Sequence, residues 1–271
     1  MSLFAAAAIL VAAVAAGAIN AVVGSGSLIT FPTLLAFGYP PVIANVSNNI
    51  GVIPGNLSAS YGYRKELAGQ RRRLTPLAFA SFTGALTGAV ALLALPAGVF
   101  KLVVPILIIA GCVLVVLQPQ LSAWVTRRSK DRAAGAAGAA GAAGAAGDSG
   151  DEQKTSPLLL AGVFLTGVYG GYFGAAQGVI LVGLLGVFIS DSLQRINAGK
   201  NVLVTIVNAT AAIVFMIFAH VAWLAVALIA VGSAAGGLIG AKVGRRLPPL
   251  ALRIIIVIIG LVSAVKLIFF P

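Results

Sequence analysis

The sequence Thr166-Gly-Val-Tyr-Gly-Gly-Tyr-Phe-Gly-Ala-Ala-Gln-Gly178 places many glycines and polar side chains inside a region as apolar as a membrane span. An apolar run to Ile189 follows it, and then Arg195-Ile-Asn-Ala-Gly-Lys-Asn201. A weaker copy lies about 150 residues earlier, in Gly17-Ala-Ile-Asn-Ala-Val-Val-Gly24-Ser-Gly-Ser27 and Asn45-Val-Ser-Asn-Asn49. Lipid cannot satisfy polar groups or unwound backbone, so both stretches must be enclosed by protein.

The composition is that of a membrane protein rather than a soluble domain. Of the 271 residues, 60% are hydrophobic and 9% are charged, whereas soluble domains carry about 25% charged residues. No charged side chain occurs from Met1 to Tyr63 or from Thr155 to Ser190, and a spanning helix needs about 20 apolar residues. We therefore predict an all-α polytopic membrane protein.

The net charge of +12 does not indicate nucleic-acid binding, because the basic residues cluster in a few loops between apolar runs. Cys112 is the only cysteine, so a disulfide within the chain is excluded. We interpret Leu3–Ile19 as a retained membrane segment, because it lacks the basic region that begins a cleaved signal peptide.

The chain contains an internal duplication. Asparagines and glycines of the first half recur in register in the second half: Asn45 with Asn197, Asn49 with Asn201, Asn56 with Asn208, Gly17 with Gly167 and Gly24 with Gly174. We divide the chain into a first transmembrane repeat (1–118), a flexible cytoplasmic linker with an Ala-Ala-Gly tract (119–156) and a second transmembrane repeat (157–271). Each repeat is predicted to hold a broken helix or hairpin and three spanning helices, giving about eight membrane elements.

The loops indicate that the two repeats have inverted topology. The basic loop of the first repeat, 64–73, joins its second and third helices, whereas that of the second repeat, 242–246, comes one connection later. With the basic loops in the cytoplasm, all but Lys101 and Lys266 of the 18 lysines and arginines are inside, as the positive-inside rule expects. We predict a multi-pass protein of the cell (inner) membrane with both termini extracytoplasmic.

Inverted repeats with interrupted helices are typical of secondary transporters, whose binding sites lie near the midplane where the broken helices meet. A helix that begins there presents free N–H groups and a positive dipole end to an anion. The candidate substrate-binding residues are Ser25, Ser27, Thr30, Asn45, Asn48, Asn49, Gln177, Asn197, Lys200 and Asn201, with Asn56, Asn208 and Tyr172 as further candidates. The alternative is that the glycines serve packing and the asparagines cap helices or join them.

Two further features of the apolar helices have competing interpretations. Lys200 is a cation inside the membrane without an evident partner, which favours a functional role; the alternative is a lysine that reaches the cytoplasmic interface. Gly232, Gly236, Gly240 and Gly244 form a ridge at four-residue spacing, with Gly84 and Gly88 as its first-repeat counterpart. We interpret this ridge as structural, for close helix packing or for sliding.

The residues for enzymatic chemistry are missing from the sequence. No Asp or Glu lies within a predicted span, no HExxH sequence occurs, and metal-ligand clusters are lacking. We therefore expect no enzyme activity, no metal and no cofactor.

These motifs resemble a known family. Gly24-Ser-Gly-Ser-Leu-Ile-Thr-Phe-Pro32 with Pro40-Pro-Val-Ile-Ala-Asn45 looks like the first-repeat signature of the TauE/SafE family. Gly170-Gly-Tyr-Phe-Gly-Ala-Ala-Gln-Gly178, Asn197-Ala-Gly-Lys-Asn201 and Gly236-Gly-Leu-Ile-Gly-Ala-Lys-Val-Gly244 resemble its second repeat. The resemblance covers nearly the whole chain apart from the linker. It implies transport of small sulfur-containing anions such as sulfite or organosulfonates. The chain departs from the family where Ser25 or Ser27 replaces a third glycine, and in its Ala-Ala-Gly linker.

We predict an exporter that works by alternating access around a midplane site. An inside-negative potential favours export of a dianion by about 4.6 kcal/mol per 100 mV, so export needs no coupling carboxylate. The alternatives are an anion channel of the same fold, a carrier of another small organic anion coupled to Na⁺ or H⁺, and a non-transporting scaffold. The expected partners are a small anionic substrate, the lipid bilayer and, as an open alternative, a second copy in a homodimer.

Overall fold

The computed structural model of the protein describes residues 1–142, 156–243 and 249–269. Within these ranges the regular elements are eleven helices: α1 Leu3–Val22, α2 Ser27–Ala36, α3 Pro41–Gly51, α4 Ile53–Gly62, α5 Arg71–Ala94, α6 Ala97–Ala142, α7 Pro157–Tyr172, α8 Gln177–Phe188, α9 Leu193–Phe218, α10 Trp223–Val243 and α11 Pro249–Phe269. Five apolar stretches, in α1, α5, α6, α9 and α10, are long enough to cross a membrane. The predicted all-α polytopic membrane fold is confirmed.

The first element of each repeat is a helical hairpin. Near the start of α1, the ring of Phe4 lies 6.2 Å from that of Phe37, which follows α2. In the second repeat, a Cβ on Gly162 of α7 would lie 2.8 Å from the side chain of Leu184 in α8. Gly24 and Gly174 turn the chain at the two tips with φ of +85° and +76°, a left-handed conformation that favours glycine.

In each repeat, the first helix packs against a spanning helix of the other repeat. Helix α1 packs along α10, and α7, the counterpart of α1, packs along α5, the counterpart of α10. At both contacts a glycine lies on the facing backbone: a Cβ on Gly236 would lie 2.0 Å from the carbonyl oxygen of Val14, and one on Gly88 would lie 2.0 Å from that of Val168. The predicted packing role of the glycine ridge is therefore confirmed for these positions; Gly244 lies outside the described residues.

Two cationic segments that the charge pattern places on the same side of the membrane lie together in the structure. At the cation-rich end, the loop before α5 contacts the start of α9: Gln70 Nε2 donates to the carbonyl of Arg195, and Arg195 Nη1 to that of Ala68, both at 3.1 Å. At the opposite end, Lys101 and Lys266 line one cavity beside the turn after α2. The assignment of the cation-rich end to the cytoplasm stays a prediction.

The second helical stretch of the first repeat is interrupted near Pro54: α3 ends at Gly51 and α4 begins at Ile53, one residue before this proline. The predicted linker differs from the structure: α6 continues through Gln118 and Pro119 to Ala142. Alanine has the highest helix propensity, which lets the helix extend into the Ala-Ala-Gly tract. The rest of that linker, residues 143–155, lies outside the described residues.

Candidate functional site

The two hairpin tips touch. The backbone N–H of Gly178, at the start of α8, donates to the carbonyl of Gly24 at 3.1 Å. A Cβ on Gly24 would lie 2.5 Å from the Cα of Gly178, so the backbones meet without side chains between them. Because the hairpins enter from opposite ends, this contact lies where the two repeats meet in the protein interior.

The end of α1 is capped by side chains from α9. The last carbonyls of a helix have no partner within it. The ammonium of Lys200 donates to the carbonyls of Asn20 at 3.1 Å and Ala21 at 3.4 Å, and Asn201 Nδ2 also donates to Ala21 at 3.4 Å. Lys200 is 0% exposed, so the alternative of a lysine reaching the interface is wrong. A cation at this position also matches the negative end of the α1 dipole.

The same arrangement recurs in the other half. Asn45 of α3, the counterpart of α9, donates from Nδ2 to the carbonyl of Tyr172, the last residue of α7, at 3.0 Å. The hydroxyl of Tyr169 donates to the carbonyl of Ala175 within the second tip. The capping interpretation thus describes Asn45, Lys200 and Asn201.

Other predicted residues join neighbouring helices. Thr30 of α2 donates its hydroxyl proton to Asn48 Oδ1 in α3. Asn49 Nδ2 donates to Oδ1 of Asn208 in α9 at 3.4 Å. Together with the caps described above, these bonds join α1, α2, α3, α7 and α9 in one buried polar region.

Asn20 also belongs to this region, although it is not among the site residues predicted from the sequence. Its Nδ2 donates to Asn56 Oδ1, its Oδ1 accepts from the N–H of Gly26 at 3.4 Å, and its carbonyl accepts from Lys200. Asn20 therefore connects the first tip, α4 and α9. The signal was present as an amide four residues before Gly24 in a helix without charge.

Several buried polar atoms in the described residues near the tips have no hydrogen-bond partner. They are Ser25 Oγ, both amide atoms of Gln177, Asn56 Nδ2, Asn49 Oδ1 and Asn197 Oδ1. Ser25 and Gln177 are each 1% exposed and adjoin Gly24 and Gly178, so they flank the tip contact. An unpartnered buried polar group costs about 1–3 kcal/mol, which makes these atoms candidates for contact with a bound ligand.

Two of the predicted site residues are less enclosed. Ser27 is half-buried at the first residue of α2, and Tyr172 is half-buried at the end of α7. The ring of Tyr172 lies 5.7 Å from that of Phe100.

Aromatic rings close the region toward the end that holds Lys101. Phe173, at the second tip, packs its ring 5.2 Å from that of Phe31 in α2 and 6.3 Å from that of Phe100 in α6. All three side chains are buried. Rings at these separations pack edge to face, and each such pair contributes about 0.5–1.5 kcal/mol.

Ion pairs join the loops at the cation-rich end. Asp191, between α8 and α9, accepts from Arg73 of α5 at 3.0 Å and from Arg195 of α9 at 2.9 Å. Burial raises the pKa of the Asp191 carboxyl, but hydrogen bonds from Arg195, the Ser192 N–H and Arg73 outweigh this effect and hold the pKa below its usual value.

We expect Asp191→Asn to lower thermal stability at pH 7 by about 1 kcal/mol, because it removes the charge that pairs with two arginines. A carboxyl whose folded pKa is lowered stabilises the fold above its unfolded pKa, near 4, and this contribution is lost as the pH falls through the folded pKa. Wild type should therefore lose stability below about pH 4, and the variant should lack that part of the decline. Thermal unfolding in detergent from pH 3 to 7 measures this. Asp131→Asn, at an exposed carboxylate, is the control; identical profiles for wild type and Asp191→Asn would contradict the prediction.

Comparison with known proteins agrees with this architecture. The profile of the family described as Sulfite exporter TauE/SafE matches residues 9–267. A "Probable membrane transporter protein" of Haemophilus influenzae is 26% identical over 254 residues, covering 93% of this chain and 89% of the relative. A "Probable membrane transporter protein" of Escherichia coli K12 is 25% identical over 258 residues, covering 95% and 87%. No solved structure gives a significant match. Since the family profile covers nearly all of the chain, the protein belongs to the TauE/SafE family of membrane transporters.

Proposed function

We propose that the protein exports small sulfur-containing anions, such as sulfite or organosulfonates, by alternating access around the hairpin tips. The observation that carries the proposal is the contact of Gly24 with Gly178, flanked by the buried and unpartnered side chains of Ser25 and Gln177. An occluded polar region at the meeting point of inverted repeats is where such carriers bind their substrates.

The chemistry of the region fits a small oxyanion. The unpartnered donors are the Ser25 hydroxyl and the amides of Gln177 and Asn56, and uncharged donors of this kind can bind several oxygens of a sulfite or sulfonate group. Lys200 adds positive charge nearby, and its ammonium has three N–H groups, two of which the α1 carbonyls accept. Charge recognition therefore comes from the second repeat, since Asn48 is the counterpart of Lys200 in the first.

The charges of the described residues support the proposed outward direction. The acidic residues that the structure describes, Glu66, Asp131 and Asp191, lie in loops or in the extension of α6, so the tips hold no carboxylate for proton coupling. The membrane potential favours efflux of each negative charge by about 2.3 kcal/mol per 100 mV.

Alternating access requires that each end open in turn. On the cation-rich side the Arg73–Asp191–Arg195 ion pairs join α5, α9 and the loop between α8 and α9. On the other side the rings of Phe31, Phe100 and Phe173 join α2, α6 and the second tip. We propose that one closure opens while the other holds, as one repeat rocks against the other.

Flux from proteoliposomes tests the proposal. We expect efflux of labelled sulfite or of a sulfonate such as ethanesulfonate to saturate, to accelerate with an inside-negative potential, and to be stimulated by substrate outside. Ohmic currents without saturation would instead indicate a channel, and no flux of any sulfur oxyanion would contradict the proposal.

Gln177→Leu separates binding from folding. The substitution removes two buried atoms without partners while keeping a similar volume. We expect thermal stability to stay the same or to rise by about 1–2 kcal/mol, and flux to fall at least about tenfold, the effect of losing about 1.4 kcal/mol of substrate interaction. Gln118→Leu, in α6, is the matched control. Flux at the wild-type rate in Gln177→Leu would show that Gln177 does not bind the substrate.

A further inference from the structure

A cavity with two lysines in its lining lies at the end opposite the cation-rich loops. Its volume is about 380 Å³, and its mostly apolar lining includes Lys101 of α6, Lys266 of α11, Pro32 and Ala36 of α2, and Tyr39 in the turn after α2. The volume exceeds that of a sulfonate or phosphate group several-fold. The cavity is also separate from the Gly24–Gly178 contact, whose residues do not line it.

The two lysines of this cavity are the same two that the charge pattern sets apart from every other cation of the chain. They come from α6 and α11, the last helices of the two repeats, and both side chains are exposed. The residues that line the cavity include no Asp or Glu, and the described acidic residues belong to the cation-rich end or to the extension of α6. Two like charges that line one cavity repel each other, so an anion bound in the cavity would offset that repulsion.

We propose that this cavity is an outer binding site for a small tetrahedral or pyramidal oxyanion, of the sulfonate, sulfite or phosphate class. The assignment rests on the proposed export function in one respect: the transported anion is the natural occupant after it leaves the tips. A phospholipid headgroup offers the same chemistry from a different source.

Residues that line the outer cavity are close in sequence to residues of the buried polar region. Pro32, in the cavity wall, lies two residues after Thr30, which donates to Asn48. Phe100, next to Lys101, packs on Phe173 of the second tip. The aromatic rings therefore separate the outer cavity from the polar region, and an anion that passes them meets Lys101.

The test uses charged thiol reagents on the full-length protein in phosphatidylcholine vesicles. Cys112 is the only cysteine, so Cys112→Ala provides a background in which Ala36→Cys reports on the cavity. A sulfonate-bearing methanethiosulfonate reagent is compared with its trimethylammonium analogue. His220→Cys, in the exposed turn before α10, is the matched control.

We expect the anionic reagent to be favoured at Ala36→Cys over His220→Cys, because the two lysines attract the anionic reagent and repel the cationic one. The ratio of anionic to cationic labelling rates at Ala36→Cys should fall about tenfold, or about 1.4 kcal/mol, in Lys101→Gln/Lys266→Gln. Ethanesulfonate should slow labelling of Ala36→Cys but not of His220→Cys. Equal ratios of anionic to cationic labelling at Ala36→Cys and His220→Cys would overturn the free-anion site. Protection of Ala36→Cys by added phosphatidylglycerol, without protection by ethanesulfonate, would also overturn it.

The same preparations distinguish the two proposals. Protection by ethanesulfonate in a protein that shows no flux would support the outer site while export fails. Saturable flux with no charge preference at Ala36→Cys would overturn the outer site and leave export standing.

Discussion

Gly178→Ala should abolish transport, although alanine fits the helical conformation of this residue. A Cβ there would lie 2.5 Å from the Cα and 2.9 Å from the carbonyl oxygen of Gly24, well inside the 3.5–4.0 Å at which carbon atoms normally pack. Both atoms it meets belong to backbone, so no side chain can turn away. The hairpin tips must separate, and the hydrogen bond from Gly178 to Gly24 must lengthen.

Two other substitutions separate steric contact from backbone strain. Gly24→Ala combines the same contact with a φ of +85°, whereas Gly38→Ala has a φ of +84° and nothing within 4 Å of the new Cβ. The strain alone costs about 1–2 kcal/mol. We therefore expect Gly38→Ala to lower thermal stability modestly and keep its flux, and both tip variants to lose flux by at least about 100-fold, or about 2.7 kcal/mol.

Thermal unfolding and sulfite efflux from proteoliposomes, measured on the three variants together, provide the comparison. A Gly178→Ala protein that transports at the wild-type rate would show that the tips are not in contact during transport. A Gly38→Ala protein as impaired as Gly24→Ala would show that strain, and not the close approach, governs this fold.

Lys200→Met is expected to have the second large effect. Methionine fills a similar volume but donates no hydrogen bond, so the carbonyl of Asn20 loses its Lys200 donor, while that of Ala21 keeps Asn201. Loss of the cap costs about 1–3 kcal/mol, but removal of a buried charge offsets part of this cost. Stability should therefore change little.

Flux in Lys200→Met should nevertheless fall at least about 100-fold, because the charge nearest the tips and the anchor of α1 are lost together. Lys242→Met, at an exposed lysine in the last turn of α10, is the matched control and should transport normally. Measurement of half-saturation by sulfite and of maximal rate shows which role dominates: a raised half-saturation constant indicates lost substrate attraction, and a lowered maximal rate indicates a misplaced tip. Transport within twofold of wild type would exclude both roles.

The sequence by itself determined the class of fold and its symmetry. The lengths of the apolar runs predicted the membrane-spanning helices, because a span needs about 20 apolar residues. The recurrence of Asn45, Asn49 and Asn56 as Asn197, Asn201 and Asn208 revealed the duplication, and the cationic loops revealed its inversion. Each of these signals depends on the types of residue along the chain and not on contacts between distant residues, so the sequence shows them without a structure.

Only the tertiary structure decided what each polar residue contacts. The sequence left Asn45 between ligand binding and capping, and it left Lys200 between a functional role and the cytoplasmic interface. It did not indicate Asn20, because the partners of Asn20 in α9 and α4 are distant in the chain. It also could not show that Gly24 meets Gly178 or that Lys101 and Lys266 share a cavity. Hydrogen bonds depend on distances of a few tenths of an ångström between helices, and those distances are fixed by the packing of the whole bundle.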